Sequence, residues 1–251
     1  MGRAKDIIVR VIQSKTANAF IKKCHYSGKV VNNSSLHFGA FLDGKLHGVM
    51  SFGSPTIKRK VLPLVKDTNW NEMMELNRMA FDEYLPKNSE SRCIAIAIKL
   101  FRRNAPHIRW ILSYADGTQC GDGTIYRASG FKLTGVKKNT GILRLKSGEI
   151  AASITFNKGK HILKQNGRSG RPDGSEYLEG FQLRYIYLID KTCKITVPIL
   201  PFSAIDEAGA RMYKGKRPGS EVVSRPVLQQ ESGGANPTSG LAETAVLDGK
   251  E

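Results

Sequence analysis

The sequence predicts an α/β protein with a mixed, partly antiparallel central sheet, helices on both faces of that sheet, and a basic C-terminal extension rich in strands and loops. Three observations predict this class. Runs of β-branched residues alternate with segments of helical spacing over the first 136 residues. Two apolar runs flank Asp43-Gly44, a type I′ hairpin turn, which makes part of the sheet antiparallel. Beyond residue 136 the chain becomes strongly basic and rich in glycine.

The local patterns define each element of the first 136 residues. A β-branched run predicts the first strand, and Ser14 then begins a helix with apolar residues three and four apart. The clearest helix has capping residues at 88–91, a buried stripe ending at Phe101, and Pro106 just beyond its end. In chain order we expect strand 7–12, helix 14–24, strands 36–42, 46–52 and 75–80, a helix from 89 to before 106, strand 110–115, helix 123–129 and strand 131–136.

Composition divides the chain into three parts. We expect a catalytic domain at 1–136, a basic extension at 137–220 packed on it by strands at 181–189 and 195–202, and a tail at 221–251. The tail should be disordered because it has no aromatic residue and little apolar surface to bury. The four cysteines are widely scattered, which argues against a zinc ribbon or a disulfide scaffold. No apolar run is long enough to span a membrane or to form a signal-peptide core, so we expect a cytoplasmic protein.

The net charge of +17 and the pI near 9.8 point to a polyanionic partner, because a basic surface releases counterions from phosphates when it binds. Residues 132–171 hold ten Lys or Arg and a single acid, Glu149. No helix-turn-helix or zinc finger is evident, so we expect double-stranded DNA to be held mainly through its phosphates. The residues predicted to contact DNA are Lys58, Arg59, Lys60, Lys137, Lys138, Lys158, Lys160 and Lys164.

Five short motifs carry a resemblance to a known family. They are His25-Tyr26-Ser27-Gly28, Leu76-Asn77-Arg78-Met79, Asn88-Ser89-Glu90-Ser91-Arg92, Ser113-Tyr114-Ala115-Asp116, and Gly123 to Phe131. In this order, over residues 7–136, they resemble the Mom family of phage proteins. The resemblance implies a fold of the GNAT acyltransferase superfamily. It also implies a DNA-modifying transferase that adds a carbamoylmethyl group to adenine N6 and so protects phage DNA from host restriction.

The chemistry at adenine N6 suggests which residues are catalytic. The exocyclic amine is a poor nucleophile because its lone pair is delocalised into the ring, so a base or a metal must assist it. His25 and Tyr26 end the first helix, and Asp116 follows a strand end, where open α/β sheets place functional groups. These three residues form either a base assembly or an iron site. Taken singly, His25 also suits a helix C-terminus and Asp116 an Asp-Gly turn.

Two further catalytic candidates come from the later motifs. We expect Ser113 to point towards the sheet opening. Tyr126 lies on the short helix where the resemblance to acyltransferases implies an acid tyrosine, although a buried amphipathic tyrosine is the alternative. The target base should be flipped out of the duplex, with Tyr26, His37 or Phe38 available to stack on it.

Five residues are candidates for binding the group donor. Arg78 is suited to grip a phosphate or a carboxylate, with an ordinary salt bridge as the alternative, and Asn77 precedes it. Ser89, Ser91 and Arg92 stand at the start of the long helix, where backbone amides favour anions. That segment has no glycine-rich loop and contains Glu90, which argues against acetyl-CoA and leaves the identity of the donor open.

Two other function classes remain open at this point. An ordinary acyl-CoA-dependent N-acetyltransferase would share the fold but would bind acetyl-CoA tightly. A non-catalytic nucleic-acid-binding protein would share the charge but would not depend on His25 or Asp116.

Overall fold

The structure, a computed structural model, describes residues 3–153, 156 and 172–216. Its centre is a seven-stranded sheet with the order β1-β2-β3-β4-β5-β10-β6, and a second sheet has the order β8-β7-β9. The strands are β1 (Ile8–Val11), β2 (Ser34–Leu42), β3 (Lys45–Gly53), β4 (Met73–Phe81), β5 (Trp110–Asp116), β6 (Lys132–Lys138), β7 (Ile142–Arg144), β8 (Ile150–Ala152), β9 (Glu176–Tyr177) and β10 (Phe181–Leu188).

Helices cover both faces of the central sheet. They are α1 (Ser14–Cys24), α2 (Lys58–Val61), α3 (Ser89–Asn104), α4 (Thr124–Ala128) and α5 (Ser203–Glu207). Adjacent residues of β3 show the two faces, because successive side chains of a strand point in opposite directions. Val49 belongs to the cluster that buries Ala17 and Ile21 of α1, whereas Met50 belongs to the cluster that contains the apolar stripe of α3. The predicted mixed α/β class is therefore confirmed.

The predicted hairpin between β2 and β3 is also confirmed. Asp43 and Gly44 both have positive φ, at 51° and 75°, as a type I′ turn requires. Leu42 pairs with Lys45 directly across this turn. Among the described residues, no helix is long and apolar enough to cross a membrane.

The parallel strands β4 and β5 pair over only four positions. Their register begins at Met73↔Trp110 and ends at Leu76↔Ser113. Beyond this point β4 continues beside β3 and β5 continues beside β10, so the two strands separate. A β-bulge coincides with the separation, because Leu76 pairs with Phe52 and Arg78 with Ser51, which leaves Asn77 as the extra residue. The central sheet therefore has an opening at the carboxyl ends of β4 and β5.

The sheet crosses the compositional boundary that we predicted at residue 136. β10 lies between β5 and β6 and pairs antiparallel with both, so the central sheet includes a strand from the 137–220 segment. The strand predicted at 195–202 is absent from the structure, which has only a single bridge between Val65 and Ile195 there. Pro198 and Pro201 lack the N–H groups that a continuous ladder would need. The predicted disordered tail at 221–251 lies outside the described residues.

The position of β10 makes Leu183 a test of this architecture. Leu183 is fully buried in the main core, whereas its neighbour Gln182 is exposed. We expect Leu183→Ala to lower the free energy of unfolding by about 2–5 kcal/mol through reduced apolar burial and a cavity. Gln182→Ala, the control on the same strand, should change it by no more than about 0.5 kcal/mol. Urea denaturation measures both values, and equal small losses would contradict the placement of β10 inside the core.

Candidate active site

A cleft of about 280 Å³ occupies the opening between β4 and β5. One wall comes from the segment after α1, two walls come from the separated strands, and part of the rim comes from the small sheet of β7, β8 and β9. The lining residues are Tyr26, Ser27, Lys29, Glu75, Leu76, Asn77, Arg78, Tyr114, Ala115, Asp116, Gln119, Asn139, Ile142, Ile150, Ala151, Ala152 and Gln182. The exposed ion pair between Lys29 and Glu149, with 3.1 Å between Nζ and Oε1, joins two sides of this rim.

A phenol–carboxylate pair lies in the cleft. The Tyr26 hydroxyl donates to Oδ2 of Asp116 at 2.9 Å. Asp116 is held in place because its Oδ1 accepts the backbone N–H of Thr118 at 2.9 Å. Burial and the charge of Asp116 raise the pKa of Tyr26, so its phenol keeps its proton. The chain reaches this position because Gly28, with φ of 58°, turns it sharply after α1.

His25 lies beside this pair as a neutral imidazole. Its ring centroid is 4.2 Å from that of Tyr26. Its Nδ1 accepts the backbone N–H of Ser27 at 3.1 Å, which leaves the ring proton on Nε2. Burial, assisted by the positive charge of Arg78, lowers the pKa of His25 to about 4. The ring is therefore in the form that can accept a proton or bind a metal.

Ser113 and Tyr126 lie below the cleft and do not line it. The buried Ser113 hydroxyl donates to the carbonyl oxygen of Leu76 at 3.0 Å, across the last paired position of β4 and β5. Tyr126 is only 8% exposed and packs against Phe131 and Tyr185. Burial raises its pKa to about 12. Its hydroxyl and that of Ser113 interact closely enough to influence the pKa of Tyr126, so the two side chains lie together at the base of the opening.

The bulge brings Asn77 and Arg78, both predicted to bind the donor, to the cleft, and that role stays a prediction. Oδ1 of Asn77 accepts the Ser34 hydroxyl at 2.7 Å, and its buried Nδ2 has no partner among the described residues. The Arg78 guanidinium donates to the carbonyl oxygens of Lys29 and Asn77, at 3.0 and 2.8 Å. These bonds fix a positive charge beside His25 and Tyr26.

The three predicted residues at the start of α3 are not part of the cleft. Ser89 and Ser91 donate their hydroxyls to the carbonyl oxygens of Pro86 and Asn88. Arg92 donates to the carbonyl oxygen of Lys5 at 3.1 Å. All three side chains are therefore bonded within the protein, and their role in donor binding stays a prediction.

The predicted DNA-contact residues fall into separate places. Lys137 and Lys138 are exposed at the end of β6, where Lys137, Gln182 and Asp116 form one row across three strands. With strands about 4.8 Å apart, the Lys137 backbone lies about 10 Å from that of Asp116. Lys58 instead lies over Trp70, near the amino end of β4 and away from the cleft, together with Arg59 and Lys60 of α2. Lys158, Lys160 and Lys164 lie outside the described residues.

Two residues predicted to stack on a flipped base are in the core. His37 is 3% exposed and hydrogen-bonds to Ser51 at 2.7 Å, and Phe38 packs edge-on against Phe52 and Phe101. That part of the prediction is wrong, because β2 is covered on both faces. Tyr26, at 39% exposed, is the one of the three that reaches the cleft.

Glu75 is an acidic cleft residue that the sequence patterns did not single out as functional. It lies within β4 two residues before the bulge, and burial raises the pKa of its carboxyl to about 7. The available signal was an acidic residue inside an apolar strand, Met73-Met74-Glu75-Leu76. An acid in such a place is seldom surrounded by protein unless it has a function.

The donor set at His25, Tyr26 and Asp116 suits iron in its chemistry, since it combines a neutral imidazole with a carboxylate and a phenol. Two of the donors already touch through the hydrogen bond between Tyr26 and Asp116. Within the described residues, no group of three His, Cys, Asp or Glu side chains comes together as a metal site. Any iron site here therefore depends on the Tyr26 oxygen as a ligand.

The fold and the cleft together define a class: an α/β enzyme that works at the carboxyl ends of two separated parallel strands, with a guanidinium, an ionisable carboxyl and a phenol–carboxylate pair in its site. The model of the Mom protein family matches residues 6–204. The chain belongs to this family, as the five motifs indicated. The methylcarbamoylase Mom of Escherichia phage Mu is 37% identical over 171 residues, which are 66% of this chain and 67% of that protein.

Solved structures with a similar arrangement include two bacterial acetyltransferases. The enzyme from Bacillus subtilis, in complex with CoA, gives a TM-score of 0.42 at 10% identity and covers 72% of this chain and 98% of its own. An N-acetyltransferase from Staphylococcus aureus gives a TM-score of 0.44 at 12% identity, and the match covers 73% of this chain and 99% of that enzyme. Similarity at this level concerns the arrangement of the chain and not its activity.

The environment of Glu75 predicts a pH-dependent stability. Because its folded-state pKa is raised, the native state binds more protons than the unfolded state, and stability falls as pH rises from about 4.5 to about 7. Glu75→Gln removes this loss. The free energy of unfolding of the variant should therefore exceed that of the wild type by up to about 3 kcal/mol at pH 8 and by little at pH 5. Urea denaturation at both pH values measures the difference. Glu83→Gln, the control at an exposed position, should show no such difference in stability at either pH. A stability difference for Glu75→Gln that does not grow with pH would contradict the raised pKa of Glu75.

Proposed function

We propose that this protein is a DNA-modifying transferase that adds a carbamoylmethyl group to N6 of adenine in double-stranded DNA, within the cytoplasm of the host cell. Membership of the Mom family supports the reaction, and the curated relative in phage Mu is named a methylcarbamoylase. The structural observation that carries the proposal is the cleft at the β4–β5 opening, where Tyr26, Asp116 and Arg78 converge. A transferase needs such a site, whereas a DNA-binding protein without activity does not.

The target base would enter the cleft after flipping out of the helix, because N6 of a paired adenine is inaccessible to a pocket of this depth. Tyr26 is 39% exposed, so part of its ring is available to stack against the base while its hydroxyl is held against Asp116. Lys137, in the same sheet row as Gln182 and Asp116 of the cleft wall, and the adjacent Lys138 would hold the flanking phosphates. The chain would thus position DNA by its backbone and select the base inside the cleft.

The polar groups of the cleft would act on the donor. The Tyr26 hydroxyl remains protonated and is held at the cleft by its bond to Asp116; once the donor binds, it would transfer that single hydrogen bond to the group that accumulates negative charge. Arg78 would hold an anionic part of the donor. We propose a donor other than acetyl-CoA, because the side chains at the start of α3 are bonded within the protein. If iron binds, His25, Tyr26 and Asp116 would hold it, and it would supply Lewis-acid stabilisation.

The added mass on deoxyadenosine tests this function directly. DNA from cells that express the full chain should contain deoxyadenosine carrying the mass of a carbamoylmethyl group. Tyr26→Phe should reduce the modified fraction by roughly 100-fold or more, because the variant lacks the hydroxyl that Asp116 orients. Tyr84→Phe is the matched control, since the Tyr84 hydroxyl also bonds a carboxylate, that of Asp43, but lies outside the cleft. Unmodified deoxyadenosine alongside folded wild-type protein would contradict the proposal.

The placement of Lys137 and Lys138 predicts their contribution to DNA binding. Replacing both with Ala should reduce the slope of log affinity against log salt by about 0.9 for each phosphate that the protein no longer neutralises. The variant with Lys58→Ala, Arg59→Ala and Lys60→Ala loses more charge, but at the other end of β4 from the cleft. The slope of log affinity against log salt should therefore fall less in this variant. Affinity for a duplex, measured over a range of about 50 to 200 mM salt, distinguishes the two. A larger fall in the α2 variant would place the DNA on that side of the protein.

A further inference from the structure

Glu75 has an unusual position because its half-buried carboxyl lines the cleft. Within the described part of the chain, this carboxyl forms no hydrogen bond and no ion pair. Arg78 is the nearest candidate on the same strand, but its guanidinium is directed to the carbonyl oxygens of Lys29 and Asn77. The carboxyl lies at the surface of the cleft, where water can donate to it and where an N–H of a bound ligand can take the place of that water.

The charged and titratable groups near Glu75 do not occupy its carboxyl oxygens. Arg78 of β4 attracts it, while the phenols of Tyr114 on β5 and Tyr126 on α4 are close enough for its charge to raise their pKa values. Lys29 and Asp116 line other parts of the same cleft. Both tyrosines keep their protons near neutral pH, and none of the five groups hydrogen-bonds to the Glu75 carboxyl among the described residues.

We propose that the Glu75 carboxylate binds the exocyclic amine of the target adenine and accepts the proton that N6 loses on transfer. This inference rests on the proposed function. The bond between N6 and the transferred carbon forms, and the bond between that carbon and the leaving group of an activated carbamoylmethyl donor breaks, with its electrons departing on the leaving group. The N6 proton passes to Glu75. The N6 nitrogen therefore remains neutral after the transfer.

The chemistry of the base edge supports this assignment. A carboxylate accepts hydrogen bonds only, so it attracts the exocyclic amine of adenine or cytosine and repels the carbonyl oxygen that guanine and thymine present at the equivalent position. The pKa of Glu75, about 7 through burial, is close to the value that suits a general base at neutral pH. The same side chain can therefore reject guanine and thymine and receive the proton of the adenine amine.

The test uses full-length protein in an extract of host cells, which supplies the donor, and follows modified deoxyadenosine in added duplex DNA over a range of about pH 5.5 to 8.5. The wild-type rate should rise with pH and level off above about pH 7. Glu75→Gln should reduce the rate by at least about 100-fold and abolish the pH-dependent rise. Glu75→Asp, which retains a carboxylate, should recover part of the rate and a pH-dependent rise. Glu83→Gln, an exposed change beyond β4, should leave both rate and profile unchanged.

The outcomes separate this inference from the proposed function. A wild type that modifies no adenine would contradict the function itself. A wild type that modifies adenine, with a Glu75→Gln variant that keeps the rate and its pH dependence, would overturn only the role of Glu75. Thermal unfolding, in which Glu75→Gln should be at least as stable as the wild type, and duplex affinity, which should be intact, exclude a loss of fold or DNA binding as the cause. A wild-type profile without a rise near pH 7 would also overturn the inference.

Discussion

The structure depends on the brevity of the pairing between β4 and β5. Four aligned positions hold the two parallel strands together, and the hydroxyl of Ser113 bonds to β4 at the last of them. The bulge at Asn77 then directs β4 away, while β10 keeps β5 in place on its other side. Past the bulge, the described parts of β4 and β5 no longer pair with each other. The cavity, the side chains that enter it and the approach of the segment after α1 all follow from this separation.

Burial determines the protonation states of the titratable side chains at the cleft more than ion pairing does. It keeps His25 uncharged and Tyr26 protonated, and it places the ionisation of Glu75 near neutrality. Arg78 supplies a fixed positive charge because its guanidinium is anchored to two backbone carbonyls. Close to pH 7, Glu75 is thus the group among these four whose charge changes. An enzyme that must deprotonate a weakly nucleophilic amine gains from one titrating group among otherwise fixed charges.

Local patterns in the sequence predicted the element order, the hairpin turn and the two helix-covered faces, because each depends on neighbouring residues. The motifs also singled out Tyr26 and Asp116 as catalytic candidates and Asn77 and Arg78 as donor-binding candidates; all four line the cleft, and their roles stay predictions. Glu75 was missed because an acid within a strand normally marks the solvent face, and its burial arises only from the walls that other segments build. The place of β10 was missed for a similar reason: pairing across more than forty residues leaves no local trace.

The insertion of β10 has a consequence for the order in which the protein is made. When β5 leaves the ribosome, its partner on one side does not yet exist, and β6 has no partner in the central sheet until β10 arrives. The basic segment before β10 must therefore be synthesised before the cleft wall can close, which gives the sheet a high contact order and a slow final step. A nascent chain halted before residue 181 would carry every residue of the five family motifs without a complete enzyme. Activity in this protein is thus acquired late, only when the last strand of the central sheet has been added.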